Sequence, residues 1–209
     1  MDYPLSYGLV VFSVLVAILL LNRFQNVFPE ILNCFMRPRS GASMERNLRL
    51  RQDRNLIALS LVIPVILLAF RYRLYNNSFF NNLPDGNLRL GAIAATLTAY
   101  ALLRLLLYRL QRPRRGNEYY KVARRNAYTH FIIMALFLLC TAGILSLAGV
   151  QDQTIRVVML VEAAVFYLLY LLSTAQILSL FCNSLRTFLY LCTLEILPAA
   201  LLIVTAFVL

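Results

Sequence analysis

The sequence YTHFIIMALFLLCTAGILSLAG, residues Tyr128–Gly149, carries no formal charge unless His130 is protonated. A helix needs roughly 20 mostly apolar residues to cross a bilayer core of about 30 Å. The stretch is apolar on every side and lacks the polar face that a helix of a soluble protein presents to water. It therefore predicts a transmembrane helix.

Five further apolar runs surround this stretch, and they lie at Leu5–Leu21, Leu56–Phe70, Leu90–Tyr108, Val157–Cys182 and Thr187–Leu209. In lipid, only helices and closed barrels satisfy every backbone polar group. The runs are too long and too continuously apolar to be barrel strands, whose residues alternate. We expect an all-α polytopic membrane protein, a bundle of six transmembrane helices that forms a single integral domain over residues 1–209.

The composition supports a membrane protein as well. Hydrophobic residues make up 61% of the chain and charged residues 14%, and the mean hydropathy is +0.72. A soluble domain has about 45–50% apolar and about 25% charged residues, and a disordered chain has low hydrophobicity and high charge. Both classes are therefore excluded.

The basic residues are distributed unevenly between the two sides of the predicted bundle. The net charge is +11, and the loops after the first, third and fifth spans hold fifteen basic residues, whereas the opposite side holds Arg71, Arg73, Arg89 and Arg156. The positive-inside rule places the first group in the cytoplasm and both termini outside. We expect these Arg-rich loops to attract anionic headgroups and, because topology explains the charge, to bind no nucleic acid.

The predicted first cytoplasmic loop, from about Asn22 to Arg54, contains an amphipathic segment. Its apolar residues fall at helical spacing, and they are Phe24, Val27, Phe28, Ile31, Leu32, Phe35 and Met36. Flanking arginines favour a helix that lies in the cytoplasmic membrane interface. The alternative is that this apolar face packs on the bundle.

The motifs of the common enzyme classes are missing from the sequence. There is one histidine, His130, and the four cysteines form no C-x-x-C pair, which argues against multi-histidine or thiolate metal sites. No G-x-S-x-G elbow and no P-loop occurs. We expect a non-enzymatic protein with no cofactor, in which His130 is a polar residue of the interface.

Three ionisable residues, Arg104, Glu162 and Glu195, lie within the predicted spans. Such residues are costly in lipid and usually face a partner, water or the bundle interior. Counting from the cytoplasmic side, Arg104 lies about 8 Å deep and Glu195 about 12 Å deep at 1.5 Å per residue, so we predict that they pair. The alternative is that Arg104 reaches the headgroups and a protonated Glu195 bonds to the hydroxyl of Tyr190 or Tyr100.

The C-terminal stretch Phe188–Pro198, FLYLCTLEILP, resembles the C-terminal signature of an inner-membrane family of Bacteroidota that is catalogued as domain of unknown function 4271. The chain length, the number of spans and the basic cytoplasmic loops are similar too, so the resemblance covers essentially the whole chain. It implies a bacterial inner membrane, and in such a membrane the orientation expected from the basic loops places both termini in the periplasm. It implies no activity and no catalytic residues.

Two functions fit this sequence. The first is a non-enzymatic integral subunit or scaffold of an inner-membrane assembly that serves the cell envelope or export, with other membrane proteins or further copies of the chain as partners. The second is a small transporter or channel that uses Arg104, Glu162 and Glu195 as a polar path.

The asymmetry of the basic residues predicts the topology directly. Alkaline phosphatase fused after Leu209 should be active because it reaches the oxidising side of the membrane, and the same enzyme fused after Arg115 should be inactive. Activity measurements on the two fusions, each normalised to its expression level, check the prediction. The reverse pattern of activities would contradict the orientation.

Overall fold

The computed structural model describes residues 4–37, 47–75, 86–111, 117–180 and 183–207, and within these ranges every regular element is helical. The elements are α1 (Pro4–Met36), α2 (Leu48–Arg71), α3 (Gly86–Leu110), α4 (Asn117–Leu147), α5 (Asp152–Leu178), α6 (Ser184–Leu191), a π-helical turn (Cys192–Ile196) and α7 (Leu197–Phe207). The predicted all-α class is confirmed.

Five helical stretches in the described ranges are long and apolar enough to cross a membrane. They are Leu48–Arg71, Gly86–Leu110, Tyr120–Leu147, Asp152–Leu178 and Leu185–Thr205. The predicted first span, Leu5–Leu21, lies in α1, but several of its side chains are outside the described part of the chain. Five of the six predicted spans are therefore supported, and the first one stays a prediction.

The second membrane helix is longer than the apolar run alone suggests. The run Leu56–Phe70 contains Pro64, yet α2 begins eight residues earlier, at Leu48. The side chain of Asn47 accepts hydrogen bonds from the backbone N–H groups of Arg49 and Leu50, which caps the helix N-terminus. The 24 residues of α2 span about 36 Å at 1.5 Å per residue, which is enough to cross a bilayer.

The predicted loop from Asn22 to Arg54 is too long, because both flanking helices extend into it. The first helix continues to Met36 even though Pro29 lies inside it. Val27 and Ile31 are fully buried against Ile57 of α2 and Ile132 of α4. This packing holds the segment in helical form despite the hydrogen bond that Pro29 removes.

The apolar face of Phe24–Met36 is thus divided between two environments. Val27 and Ile31 pack on the bundle, as the alternative interpretation of this segment expects, whereas Phe28, Leu32 and Met36 are exposed. The segment is continuous with α1 and is not a separate helix. Its position relative to a membrane interface stays a prediction.

The two helices are also joined by an ion pair. Arg23 Nη1 lies 3.0 Å from Asp53 Oδ1, so these residues of the predicted loop instead link α1 to α2. The Arg23 side chain is 54% exposed, and an exposed pair of this kind contributes about 0–1 kcal/mol. Apolar packing, rather than this ion pair, is the main contact between the two helices.

The fourth helix lies at the centre of the bundle, against α1, α2 and α5. Asn126 of α4 donates hydrogen bonds to Ser173 Oγ at 2.8 Å and Thr174 Oγ1 at 3.4 Å, both on α5. His130, one turn further on, is 4% exposed and packs against Phe35. The His130 ring is therefore buried inside the bundle, and its depth relative to a membrane interface stays a prediction.

The division of the α1 face predicts different effects of two neighbouring substitutions. Ile31→Ala should lower the free energy of unfolding by roughly 2 kcal/mol, since it leaves a cavity against α2 and α4. Leu32→Ala is the matched control, because Leu32 is 46% exposed, and we expect a change below about 0.5 kcal/mol. Unfolding by SDS in mixed micelles measures both. Equal destabilisation by the two substitutions would show that this face does not pack as described.

Candidate functional site

The structure brings two of the three predicted intramembrane residues together. Arg104 of α3 and Glu195 of the π-helical turn form an ion pair, whereas Glu162 of α5 lies outside it. The side chain of Arg104 is 14% exposed and that of Glu195 is 1% exposed. The pairing that was predicted from the depths of the two residues is therefore present.

The guanidinium and the carboxylate face each other through two parallel hydrogen bonds. Arg104 Nε donates to Glu195 Oε2 at 3.1 Å, and Arg104 Nη2 donates to Glu195 Oε1 at 3.0 Å. Bidentate arginine–carboxylate pairs are strong and fix the orientation of both partners. The geometry therefore joins α3 to the C-terminal helical segment in one defined register.

Tyrosine side chains complete the polar contacts of this pair. Tyr108 donates its hydroxyl hydrogen to Glu195 Oε1, and Tyr170 accepts a hydrogen bond from Arg104 Nη2 at 2.6 Å. The hydroxyl of Tyr167 donates to the backbone carbonyl oxygen of Glu195 at 3.0 Å. We call these five residues, Arg104, Tyr108, Tyr167, Tyr170 and Glu195, the Arg–Glu–Tyr cluster.

The guanidinium of Arg104 also lies near two aromatic rings. Its central carbon is 5.1 Å from the ring centroid of Tyr108 and 5.7 Å from that of Tyr170. Cation–π contacts at such distances contribute about 0.5–2 kcal/mol, and more when the cation is desolvated. The two rings thus replace part of the hydration that Arg104 loses inside the bundle.

Helical spacing explains how the chain assembles the cluster. Arg104 and Tyr108 are four residues apart on α3, and Tyr167 and Tyr170 are three residues apart on α5. Each pair therefore lies on one face of its helix. These tyrosines were not among the predicted site residues, although the spacing of Tyr108 from Arg104 and of Tyr167 from Tyr170 was a usable signal.

Glu195 lies in a local distortion of the last membrane helix. The backbone N–H of Leu197 bonds to the carbonyl of Cys192, five residues earlier, as in a π-helix. Pro198 is the next residue, inside α7, and a proline in a helix lacks a donor and crowds the carbonyl four residues before it. The wider turn gives the carbonyl of Leu194, four residues before Pro198, more room. The neighbouring carbonyl of Glu195 accepts a hydrogen bond from the hydroxyl of Tyr167.

Glu162 has a separate partner. Its Oε2 accepts a hydrogen bond from Thr141 Oγ1 of α4 at 2.8 Å. Glu162 is eight residues before Tyr170 on α5, which is about 12 Å along the axis. The predicted polar path through Arg104, Glu162 and Glu195 is thus divided into two contacts that the structure does not connect.

The arrangement favours a structural role, in which two opposite charges neutralise each other inside the bundle. Arg104 and Glu195 compensate each other, and both carboxylate oxygens already accept hydrogen bonds. Among the residues that the structure describes, no group of three or more His, Cys, Asp or Glu side chains is placed to hold a metal ion. A role of the cluster beyond folding stays a prediction.

Comparison with known proteins identifies the family of the chain. No curated protein and no solved structure matched the chain. A family model described as a domain of unknown function, DUF4271, matches residues 7–205. Because the match covers nearly the whole sequence, the chain belongs to the DUF4271 family.

Proposed function

We propose that the protein is a non-enzymatic integral subunit or scaffold of a bacterial inner-membrane assembly that serves the cell envelope or export. The observation that carries this proposal is the closed Arg–Glu–Tyr cluster, in which Glu195 is 1% exposed and both of its carboxylate oxygens accept hydrogen bonds. A carboxylate that takes part in transport must be accessible to water from one side of the membrane and then from the other. Here the charged groups hold helices together.

Energetics support a structural role for the pair. An isolated charge at the centre of a membrane helix costs at least about 2.5–3.5 kcal/mol on insertion scales. The bidentate contact between Arg104 and Glu195 removes much of this cost for each partner. The cluster connects α3, α5 and the C-terminal segment, so it holds these three elements in one arrangement.

The outer surface of α5 provides a face on which lipid or a partner helix can pack. Val157, Val161, Val165, Leu168 and Leu172 are all exposed and follow one another at intervals of three or four residues. This spacing forms a continuous apolar stripe along the helix. A stripe of this kind on the surface of the bundle fits the proposed role of a membrane subunit.

A specific observation also favours the alternative, a small transporter or channel. The π-helical turn Cys192–Ile196 and Pro198 lie directly at Glu195. Such turns occur frequently at functional sites, and they give a helix a point at which it can rearrange. In this alternative the cluster opens and exposes Glu195 to one side of the membrane.

Two measurements on the purified full-length protein separate these functions. Purification from bacterial membranes in a mild detergent should recover a membrane partner or a further copy of the chain in stoichiometric amount, and reconstituted vesicles should show no proton or ion flux. Flux that Glu195→Gln abolishes and the control Glu162→Gln leaves unchanged would instead establish the transporter.

The ion pair predicts strong coupling between two substitutions. Arg104→Leu and Glu195→Leu should each lower the free energy of unfolding by about 3 kcal/mol, because each leaves an uncompensated buried charge. The double variant should be more stable than the sum of these effects predicts, with a coupling energy of about 1–3 kcal/mol. Unfolding by SDS in mixed micelles gives all four values of the cycle.

The control for this cycle is Arg186→Leu, which removes an exposed arginine of α6. It should change the stability by less than about 0.5 kcal/mol and should be additive with Glu195→Leu. Strict additivity of Arg104→Leu and Glu195→Leu would show that the pair contributes no net interaction.

A further inference from the structure

A groove of about 550 Å³ opens on the bundle between helices α2, α3 and α4. It lies at the ends of these helices that carry the Arg-rich loops, which is the predicted cytoplasmic side. None of the residues that line it belongs to the Arg–Glu–Tyr cluster. The groove is therefore a second feature of the fold, separate from the buried ion pair.

One wall of the groove is apolar. Leu102, Leu105 and Leu106 of α3 line it, and their exposed fractions are 61%, 43% and 53%. The three side chains extend along slightly more than one helical turn, toward the middle of the predicted third span. This wall has the chemistry and the direction to accept an acyl chain that runs parallel to the helix.

The other end of the groove is basic. Arg109 follows one turn after Leu105 on α3, and Arg124 and Arg125 reach the groove from the first turns of α4. Among the described residues that line the groove, none is Asp or Glu. The guanidinium group presents its donors in a planar fork that matches a phosphate.

A tyrosine of the groove lies one turn after Arg124 on α4, toward the middle of that helix. Tyr128 of α4 lines the groove and is 37% exposed, and the guanidinium carbon of Arg54 lies 5.8 Å from its ring centroid. Tyrosine is enriched at the level of the headgroups, where its ring is in apolar surroundings and its hydroxyl reaches water. The groove thus combines leucine, tyrosine and arginine side chains, which suit the acyl chain, the headgroup level and the phosphate of a phospholipid.

We propose that this groove binds one anionic glycerophospholipid, with its phosphate at Arg109 and Arg124 and an acyl chain along Leu102, Leu105 and Leu106. Charge complementarity selects an anionic over a zwitterionic headgroup, and the apolar wall selects a lipid over a free phosphate. The site goes beyond the proposed function, since a scaffold and a transporter can each hold such a lipid. It differs from the general attraction of Arg-rich loops to a membrane because it takes a single molecule at a defined place.

Native mass spectrometry of the full-length protein in detergent tests the site. Phosphatidylglycerol and phosphatidylcholine are added separately at equal concentrations, and the apparent dissociation constant of the first bound lipid is measured. Phosphatidylglycerol should bind at least tenfold more tightly. Replacing both Arg109 and Arg124 by Gln should weaken its binding about twenty-five-fold, since each arginine near a lipid surface contributes about a factor of five.

The matched control replaces two exposed arginines of the same predicted side, Arg49 and Arg186, by Gln. It removes the same net charge outside the groove and should leave the affinity within twofold of the original. If the double groove variant does not fold by circular dichroism, Arg109→Gln alone is used. The Arg109 side chain is exposed, and its loss should weaken binding about fivefold.

A further measurement distinguishes the binding of a whole lipid from the binding of its headgroup alone. Water-soluble glycerophosphoglycerol should not displace the bound lipid at tenfold excess, because it has no acyl chain to contact the leucines. Equal weakening by the groove and control variants, equal affinity for phosphatidylcholine, or displacement by the soluble headgroup would each overturn the proposal.

Discussion

The buried ion pair between Arg104 and Glu195 is the interaction on which the rest of this bundle depends. Each charge alone is costly in a membrane interior, so the helices that carry them are stable in lipid only in the arrangement that brings both together. The pair has two hydrogen bonds at 3.0 and 3.1 Å. It therefore sets the rotation of α3 and of the C-terminal segment about their own axes.

The tyrosines and the π-helical turn follow from this constraint. A guanidinium in a dry interior has more donors than one carboxylate can accept, and Tyr170 takes one of them. The turn at Cys192–Ile196 contains Glu195, and the hydroxyl of Tyr167 donates a hydrogen bond to the backbone carbonyl of this residue. Without a strong hydrophobic force between helices in lipid, such polar contacts specify which helices are neighbours.

The pair could be predicted from sequence because it depends on depth, and depth follows from counting residues at a fixed rise. The continuation of α1 to Met36 could not be predicted in this way, because it results from the burial of Val27 and Ile31 against helices that are distant in sequence. The same reason explains the burial of His130. Hydropathy reports which residues avoid water, but it does not say whether they face lipid or protein.

The position of Arg104 shows which of two competing interactions is stronger. At the depth predicted for Arg104, about 8 Å from the headgroups, an arginine side chain can extend to reach them, and it would gain hydration by doing so. That movement would leave Glu195, which is 1% exposed, as an uncompensated charge or force it to take up a proton. Arg104 instead lies on Glu195 and between the rings of Tyr108 and Tyr170. The contacts inside the bundle therefore outweigh an extended conformation of this arginine toward the end of α3, whereas Arg109, five residues closer to that end, remains exposed.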